Sequence, residues 1–169
     1  YRDSRTDGMI DQADKEVGKR YIFDHTGIQF NFFNTLFQLM AIRKDPSLEL
    51  ADRLLFTPDI FNYFLTGEMK NEYTIASTSQ LLDAKARDWD KELLDKLAIP
   101  THMLGELVQP GTVVGYLTDE LCEELGCPKI PVVAVGSHDT ASAVASVPVT
   151  ENYPYAYISS GTWALMGAE

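Results

Sequence analysis

A chain of 169 residues, 45% hydrophobic and 23% charged, is long enough to bury a core and too apolar for a disordered segment. Its net charge of −11, from 14 Lys and Arg against 25 Asp and Glu, argues against a partner that needs a basic face, whether duplex nucleic acid or an anionic membrane. No apolar stretch approaches the ~18 residues of a spanning helix and no signal peptide opens the chain, so a soluble cytoplasmic protein is expected.

In chain order, Met9 to Val17 reads as a short polar helix stopped by Gly18. Phe32, Phe33, Leu36, Leu39 and Met40 repeat at helical spacing and predict an amphipathic helix over residues 31–44. Thr57 reads as an N-cap with Pro58 at the first helical position, and that helix runs to Thr66-Gly67. Further helices are expected over Thr74 to Leu82 and Asp88 to Leu97, with Trp89, Leu93 and Leu97 as core. Pro110-Gly111-Thr112 is a turn, Val113 to Leu117 a strand, and Asp119 to Leu125 a helix closed by Gly126, with Glu120, Glu123 and Glu124 on its wet face. The apolar run Ile130 to Val135 predicts a strand covered on both faces in a parallel or mixed sheet. A turn follows at 136–140, then a helix of small residues over Ala141 to Val147. Tyr155 to Ile158 and Trp163 to Met166 read as a hairpin with Gly161 in its turn.

Cys122 and Cys127 are too few for a disulfide framework and, without a nearby His, make a poor zinc pair. His25 and His102 are lone histidines that suit structural or exposed positions rather than ligand roles, and the Arg2, Asp3 and Arg5 cluster suits solvated surface pairs. The chain opens with Tyr1-Arg2-Asp3 and stops straight after a strand-like run, which suggests a piece of a longer protein.

Two turns suit chemistry. Ser137-His138-Asp139-Thr140 lies at the carboxyl end of a predicted buried strand, where open α/β sheets bind ligands, and a carboxylate there can take a proton from a substrate hydroxyl. Ser137, Asp139 and Thr140 are equally ordinary helix-capping residues, and spacing alone favours capping. A serine hydrolase is excluded because Gly-x-Ser-x-Gly is absent, and His138-Asp139 alone does not make a metal site. Ser159-Ser160-Gly161-Thr162 offers hydroxyls and backbone N–H groups that suit a phosphate, although the same residues serve as hairpin punctuation. Neither a P-loop nor a Gly-x-Gly-x-x-Gly fingerprint is present.

Taken together, Ile130 to Val144 and Tyr157 to Gly167 resemble the FGGY carbohydrate kinases. Tyr1 to Gly8, Thr26 to Phe30, Phe33 to Leu39, Pro58-Asp59, Leu65-Thr66-Gly67, Glu72-Tyr73-Thr74, Ala76-Ser77-Thr78 and Pro110-Gly111 agree in order, so the resemblance covers essentially the whole chain. Leu-Thr-Gly, Pro-Gly and the Gly-x-x-Asp turn mark only the superfamily. The run Ser137 to Val144, Ser159 to Trp163, and Thr35 and Gln38 at places where many members carry Lys and Trp resemble the branch acting on L-rhamnulose.

The resemblance implies an α/β actin-like ATPase (ribonuclease H-like) fold in partial form. Residues 1–148 would be the later portion of the N-terminal, sugar-binding domain, and 149–169 the opening hairpin of the C-terminal, nucleotide-binding domain. An insertion near Thr150 to Tyr153 falls in the spacer. It further implies transfer of the γ-phosphoryl group of ATP, with Mg²⁺, to the 1-hydroxyl of L-rhamnulose. Asp139 would be the base, His138, Asp139 and Thr140 would contact the sugar, and Thr162 the nucleotide phosphates. The partners would be a small ketose and ATP, not nucleic acid or membrane. Another ketose, L-fuculose or D-xylulose, or a non-catalytic binding protein of the same fold, are the alternatives. Because the family's first phosphate loop and adenine pocket lie outside these residues, the 169 residues alone are expected not to turn over ATP.

Overall fold

The computed structural model describes residues 4–149 and 154–168; Tyr1 to Asp3 of the opening cluster and the insertion at Thr150 to Tyr153 lie outside them. Helices dominate the first half, beginning with α1 (Met9–Glu16) and α2 (Lys19–Thr26). The third, α3 (Thr35–Ile42), is shorter than its apolar pattern predicts. Asn34 stands before it in an extended conformation, its amide donating to the Gln29 carbonyl (2.8 Å) and to Gln80 Oε1 (2.9 Å). Those bonds hold 29–34 as a loop and start the helix after it. A one-turn helix, α4 (Pro46–Glu49), is capped by Asp45 through the Ser47 N–H.

In α5 (Thr57–Thr66) the capping position is Phe56, one residue earlier than expected. Thr57 and Pro58 occupy the first turn, and the buried Asp59 reaches back to accept the Phe56 N–H at 3.1 Å. After β1 (Lys70–Glu72), α6 (Tyr73–Ser77) ends five residues before its predicted boundary at Leu82. Ser79 Oγ donates to the Ala76 carbonyl and accepts from the Leu81 N–H, and Gln80 takes a positive φ of 65°, which turns the chain into β2 (Leu82–Asp83).

The helix predicted over 88–97 is likewise split. Asp88–Trp89 forms β3, antiparallel to β2, and Asp90 caps α7 (Lys91–Lys96) by accepting the Leu93 N–H at 2.9 Å. Trp89 is core as expected, but from a strand, with its indole N–H on the Gly105 carbonyl. β4 (Glu106–Val108) then pairs parallel with β1.

The second half matches the predicted order more closely. β5 (Val113–Tyr116) is followed by α8 (Asp119–Leu125), capped by Thr118 and closed by Gly126 in the left-handed region (φ 62°) that glycine enters without strain. Glu120, Glu123 and Glu124 are exposed, and both cysteines are free thiols. β6 (Pro131–Val133) corrects the expectation of a doubly covered strand: it pairs antiparallel with β5, and Ile130, Val133 and Val135 are exposed. Only Val108, Val114 and Ala134 form a small buried cluster there, because α5 covers one side of the β5–β6 pair.

The last helix, α9 (Asp139–Ala145), begins two residues earlier than predicted, since His138 takes the capping place and its carbonyl accepts the Ser142 N–H. The chain closes with the hairpin of β7 (Ala156–Ser160) and β8 (Ala164–Ala168), so Ser159 and Ser160 lie on a strand and the connection is Gly161-Thr162-Trp163.

The main core gathers Ala13, Ile22, Leu36, Phe37, Met40, Leu81, Leu93, Leu94, Leu97 and Met103 from the helical half. Among the described residues the strands form four separate two-stranded pairs, and no helix is long and apolar enough to cross a membrane.

Candidate active site

Three segments enclose a cleft of about 380 Å³: the loop at 29–33, the start of α9, and the turn of the terminal hairpin. The loop is fixed from below by amides. Gln80 donates to the Ile28 carbonyl (3.1 Å), Asn34 to that of Gln29 and Gln38 to that of Phe33 (2.6 Å). Gln38 therefore supports the floor of the cleft, and the Phe33 ring meets Trp163 of the hairpin edge-on, with centroids 6.3 Å apart.

His138, Asp139, Thr140 and Thr162, the four residues singled out in the sequence, all line this cleft, together with Gln29, Asn31, Ser159 and Trp163. The Asp139 side chain is 97% exposed. One oxygen, Oδ1, accepts the Thr140 N–H at 2.7 Å and lies 3.9 Å from His138 Nε2. A carboxylate that keeps its second oxygen toward solvent, beside an imidazole and a hydroxyl, is placed to accept a hydrogen bond from an entering alcohol and take its proton.

The hairpin turn departs from the converging N–H cradle expected of it. The Gly161 N–H is engaged within the turn by the Trp163 carbonyl at 2.8 Å, which leaves the Thr162 and Ser159 side chains as polar groups on the cleft wall. They suit a phosphate oxygen. Among the described residues Asp139 is the single carboxylate lining the cleft, which fits a Mg²⁺ held chiefly by phosphate oxygens and water rather than by a protein cage.

Behind the cleft lies a network that sequence reasoning missed. Glu72, almost wholly buried at the end of β1, accepts the Thr74 N–H (2.8 Å), the Ile75 N–H (3.2 Å), the Ser137 N–H (3.1 Å) and both the Thr74 and Ser137 hydroxyls. Thr74 Oγ1 in turn accepts the His138 N–H at 3.1 Å. Burial works against the charge on Glu72, but the hydrogen bonds from Ser137 and Thr74 outweigh it and hold the carboxyl below the ordinary glutamate range. Asp59, which accepts the Glu72 N–H at 3.0 Å and the Asn71 amide at 2.9 Å, is pushed the other way by burial. Locally, Glu72 was marked by the Glu72-Tyr73-Thr74 motif and by its place before Thr74-Ile75 as a helix cap, neither of which pointed to Ser137, 65 residues away.

Among the described residues one trio, His25, Asp83 and Asp90, brings three metal-type ligand atoms within 4.8 Å. Each is already engaged: His25 Nδ1 lies 2.7 Å from Asp90 Oδ2, Asp90 Oδ1 caps α7, and Asp83 accepts the Lys85 and Ala86 N–H groups. His102, which is exposed, bonds the Ala51 carbonyl.

Solved structures share the fold. The carbohydrate kinase of Novosphingobium aromaticivorans superposes with a TM-score of 0.75 at 21% identity, over 96% of this chain and 36% of that one. The xylulose kinase of Rhodospirillum rubrum does so with 0.73 at 21%, over 85% and 31%. The architecture is thus the α/β, actin-like ATPase fold of sugar kinases, in partial form. Residues 1–145 match the N-terminal domain of the FGGY family of carbohydrate kinases, and the chain belongs to that family. It is similar to the rhamnulokinases of Pectobacterium atrosepticum, 48% identical over 171 residues, and Bacteroides thetaiotaomicron, 45% identical over the same length. These alignments take in 100% of this chain but 33% and 35% of those proteins, so it spans a third of the length of the relatives it matches.

Proposed function

We propose that the complete protein is a kinase that transfers the γ-phosphoryl group of ATP to the 1-hydroxyl of L-rhamnulose, giving L-rhamnulose 1-phosphate and ADP. The observation that carries this reading is the meeting of Asp139, His138, Thr140 and Thr162, from two elements, on one cleft. The similarity to proteins named rhamnulokinases supports this choice of sugar. In this reading residues 1–148 belong to the sugar-binding domain and 149–169 open the nucleotide-binding domain, so the cleft lies where the two meet.

Asp139 accepts the proton of the sugar hydroxyl as its oxygen bonds to the γ-phosphorus and the bond from that phosphorus to the β,γ-bridging oxygen breaks. His138 and Thr140 orient the sugar beside the carboxylate, and the Thr162 hydroxyl donates to a phosphate oxygen. Mg²⁺ bound with the nucleotide supplies the charge neutralisation that phosphoryl transfer needs. Phe33 and Trp163 form one side of the cleft, their rings in edge-on contact.

The test is ADP release by the complete protein with L-rhamnulose, L-fuculose, D-xylulose and glycerol in parallel, with Asp139→Asn as the control for chemistry. The expected result is preference for L-rhamnulose and, in the variant, a loss in kcat of about 10²–10⁴-fold with sugar affinity retained. Preference for another ketose replaces the substrate, unchanged turnover in the variant removes Asp139 from the reaction, and inactivity on every sugar leaves a binding protein of the same fold.

A further inference from the structure

Asp139 is held by very little of its own. Its side chain is almost fully exposed, among the described residues it bonds only the adjacent Thr140 and lies near His138, and α9, which it opens, buries no residue. A base that must meet a hydroxyl within hydrogen-bonding reach needs its backbone fixed by something else. The two residues before it are the ones that are anchored. Ser137 gives both its N–H and its hydroxyl to Glu72 Oε2, and the His138 N–H goes to Thr74 Oγ1, whose own hydrogen is committed to Glu72.

Resting on the kinase reading, we propose that Glu72 is a positioning residue: its buried carboxylate ties the 137–138 turn to β1 and α6 and thereby sets where Asp139 stands in the cleft. Glu72 is not among the residues that line the cleft. It gathers five donors, three from its own Thr74 and Ile75 and two from Ser137, 65 residues away. The same carboxylate is fixed from behind, because the Glu72 N–H donates to Asp59 Oδ1 and Asn71 bonds Asp59 Oδ2. The chain of bonds thus runs from the start of α5, through β1 and the cap of α6, to the residue preceding the proposed base. Charge matters as much as shape here. An amide in place of the carboxylate would turn an NH₂ group against donors and lose at least two acceptor positions.

The experiment compares the complete protein with its Glu72→Gln and Ser137→Ala variants by steady-state kinetics and by amide hydrogen exchange. In Glu72→Gln, kcat should fall about 10–100-fold while the KM for ATP stays within about twofold, as expected when a reacting group is displaced and nucleotide binding is untouched. Exchange at the Ser137 and His138 amides should rise about tenfold or more, with the Leu94 and Leu97 amides of the α7 region unchanged. Ser137→Ala removes the same tie from the other end and should lower kcat in the same sense by a smaller factor, which decides the matter if Glu72→Gln does not fold. Wild-type kcat in a folded Glu72→Gln or in Ser137→Ala overturns the proposal, as does an exchange increase spread evenly through the core, which would make Glu72 a stabilising residue only. If the unaltered protein phosphorylates none of the sugars, the kinase reading falls, and the exchange arm still decides whether Glu72 holds the turn.

Discussion

Arg43 and Glu16 lie 27 residues apart in sequence and meet as a two-pronged pair, Nη1 to Oε2 at 2.8 Å and Nη2 to Oε1 at 2.7 Å. Arg43 Nη1 also donates to the Leu97 carbonyl at 2.6 Å, and its side chain is only 12% exposed. The Arg43 guanidinium pulls the Glu16 carboxyl down to about 2 from 4.5. A carboxyl whose folded pKa is depressed contributes stability that is fully present above pH 4.5 and is lost as pH falls toward 2. The pair is partly solvated, so its worth is ~1 kcal/mol, with the Leu97 carbonyl adding a similar amount. Arg43→Met should therefore lower stability by ~1–2 kcal/mol at pH 7 and flatten the acid limb below pH 4.5. Urea unfolding at pH 7 and pH 3 checks both parts, and an unchanged acid limb in the variant would remove the pair from the pH dependence. Glu72, also depressed, adds to the same limb with the same sign, whereas Asp59, raised by burial, opposes it.

At the scale of elements, what could be read locally was read well. The bounds of α8 follow from Thr118 and Gly126, which act within their own turn, and the hairpin follows from alternation around Gly161. The boundaries that moved were those set by distant partners: α3 starts late, after Asn34, because Gln80, 46 residues away, holds the Asn34 amide, and Asp90 begins α7 while its other oxygen holds His25. The same physics explains the site. His138, Asp139, Thr140 and Thr162, which line the cleft, stand in two short motifs that their resemblance to the FGGY kinases singled out, while the placing of Gln29, Asn31 and Glu72 at the cleft or behind it depends on tertiary contacts that spacing does not carry. Within the hairpin, Tyr157 faces Gly167 across the strands, and its phenol occupies the space a Cβ at 167 would need. Gly167→Val should displace the ring or shift β8, costing ~1–3 kcal/mol of local stability. Because Trp163 sits in the hairpin's turn, its fluorescence in a Trp89→Phe background should move toward the solvent-exposed limit; an unchanged spectrum would show that the strands absorb the added methyls.

Across the whole molecule the packing is uneven, and that sets where the chain opens first. Residues from α1 to α7 share one core in which Phe37, Leu36, Leu93, Leu94 and Leu97 are fully buried. From β5 onward burial is sparse: α8 and α9 bury no residue, and Ile158 and Met166 of the hairpin are 72% and 78% exposed. Local opening free energy follows buried apolar contact, so amides of α9, β7 and β8 should exchange at nearly the rate of an open chain in the isolated 169 residues. Those of α3 and α7 should be slower by about three orders of magnitude or more, approaching the global limit. In the complete protein the proposed nucleotide-binding domain would supply contacts to the hairpin and to the exposed side of β6, and the two rates should converge. Hydrogen exchange on both lengths of chain measures this directly. Equal protection of α9 and α7 in the short chain would mean that the 137–138 anchor at Glu72, rather than apolar burial, is enough to hold the start of α9 closed.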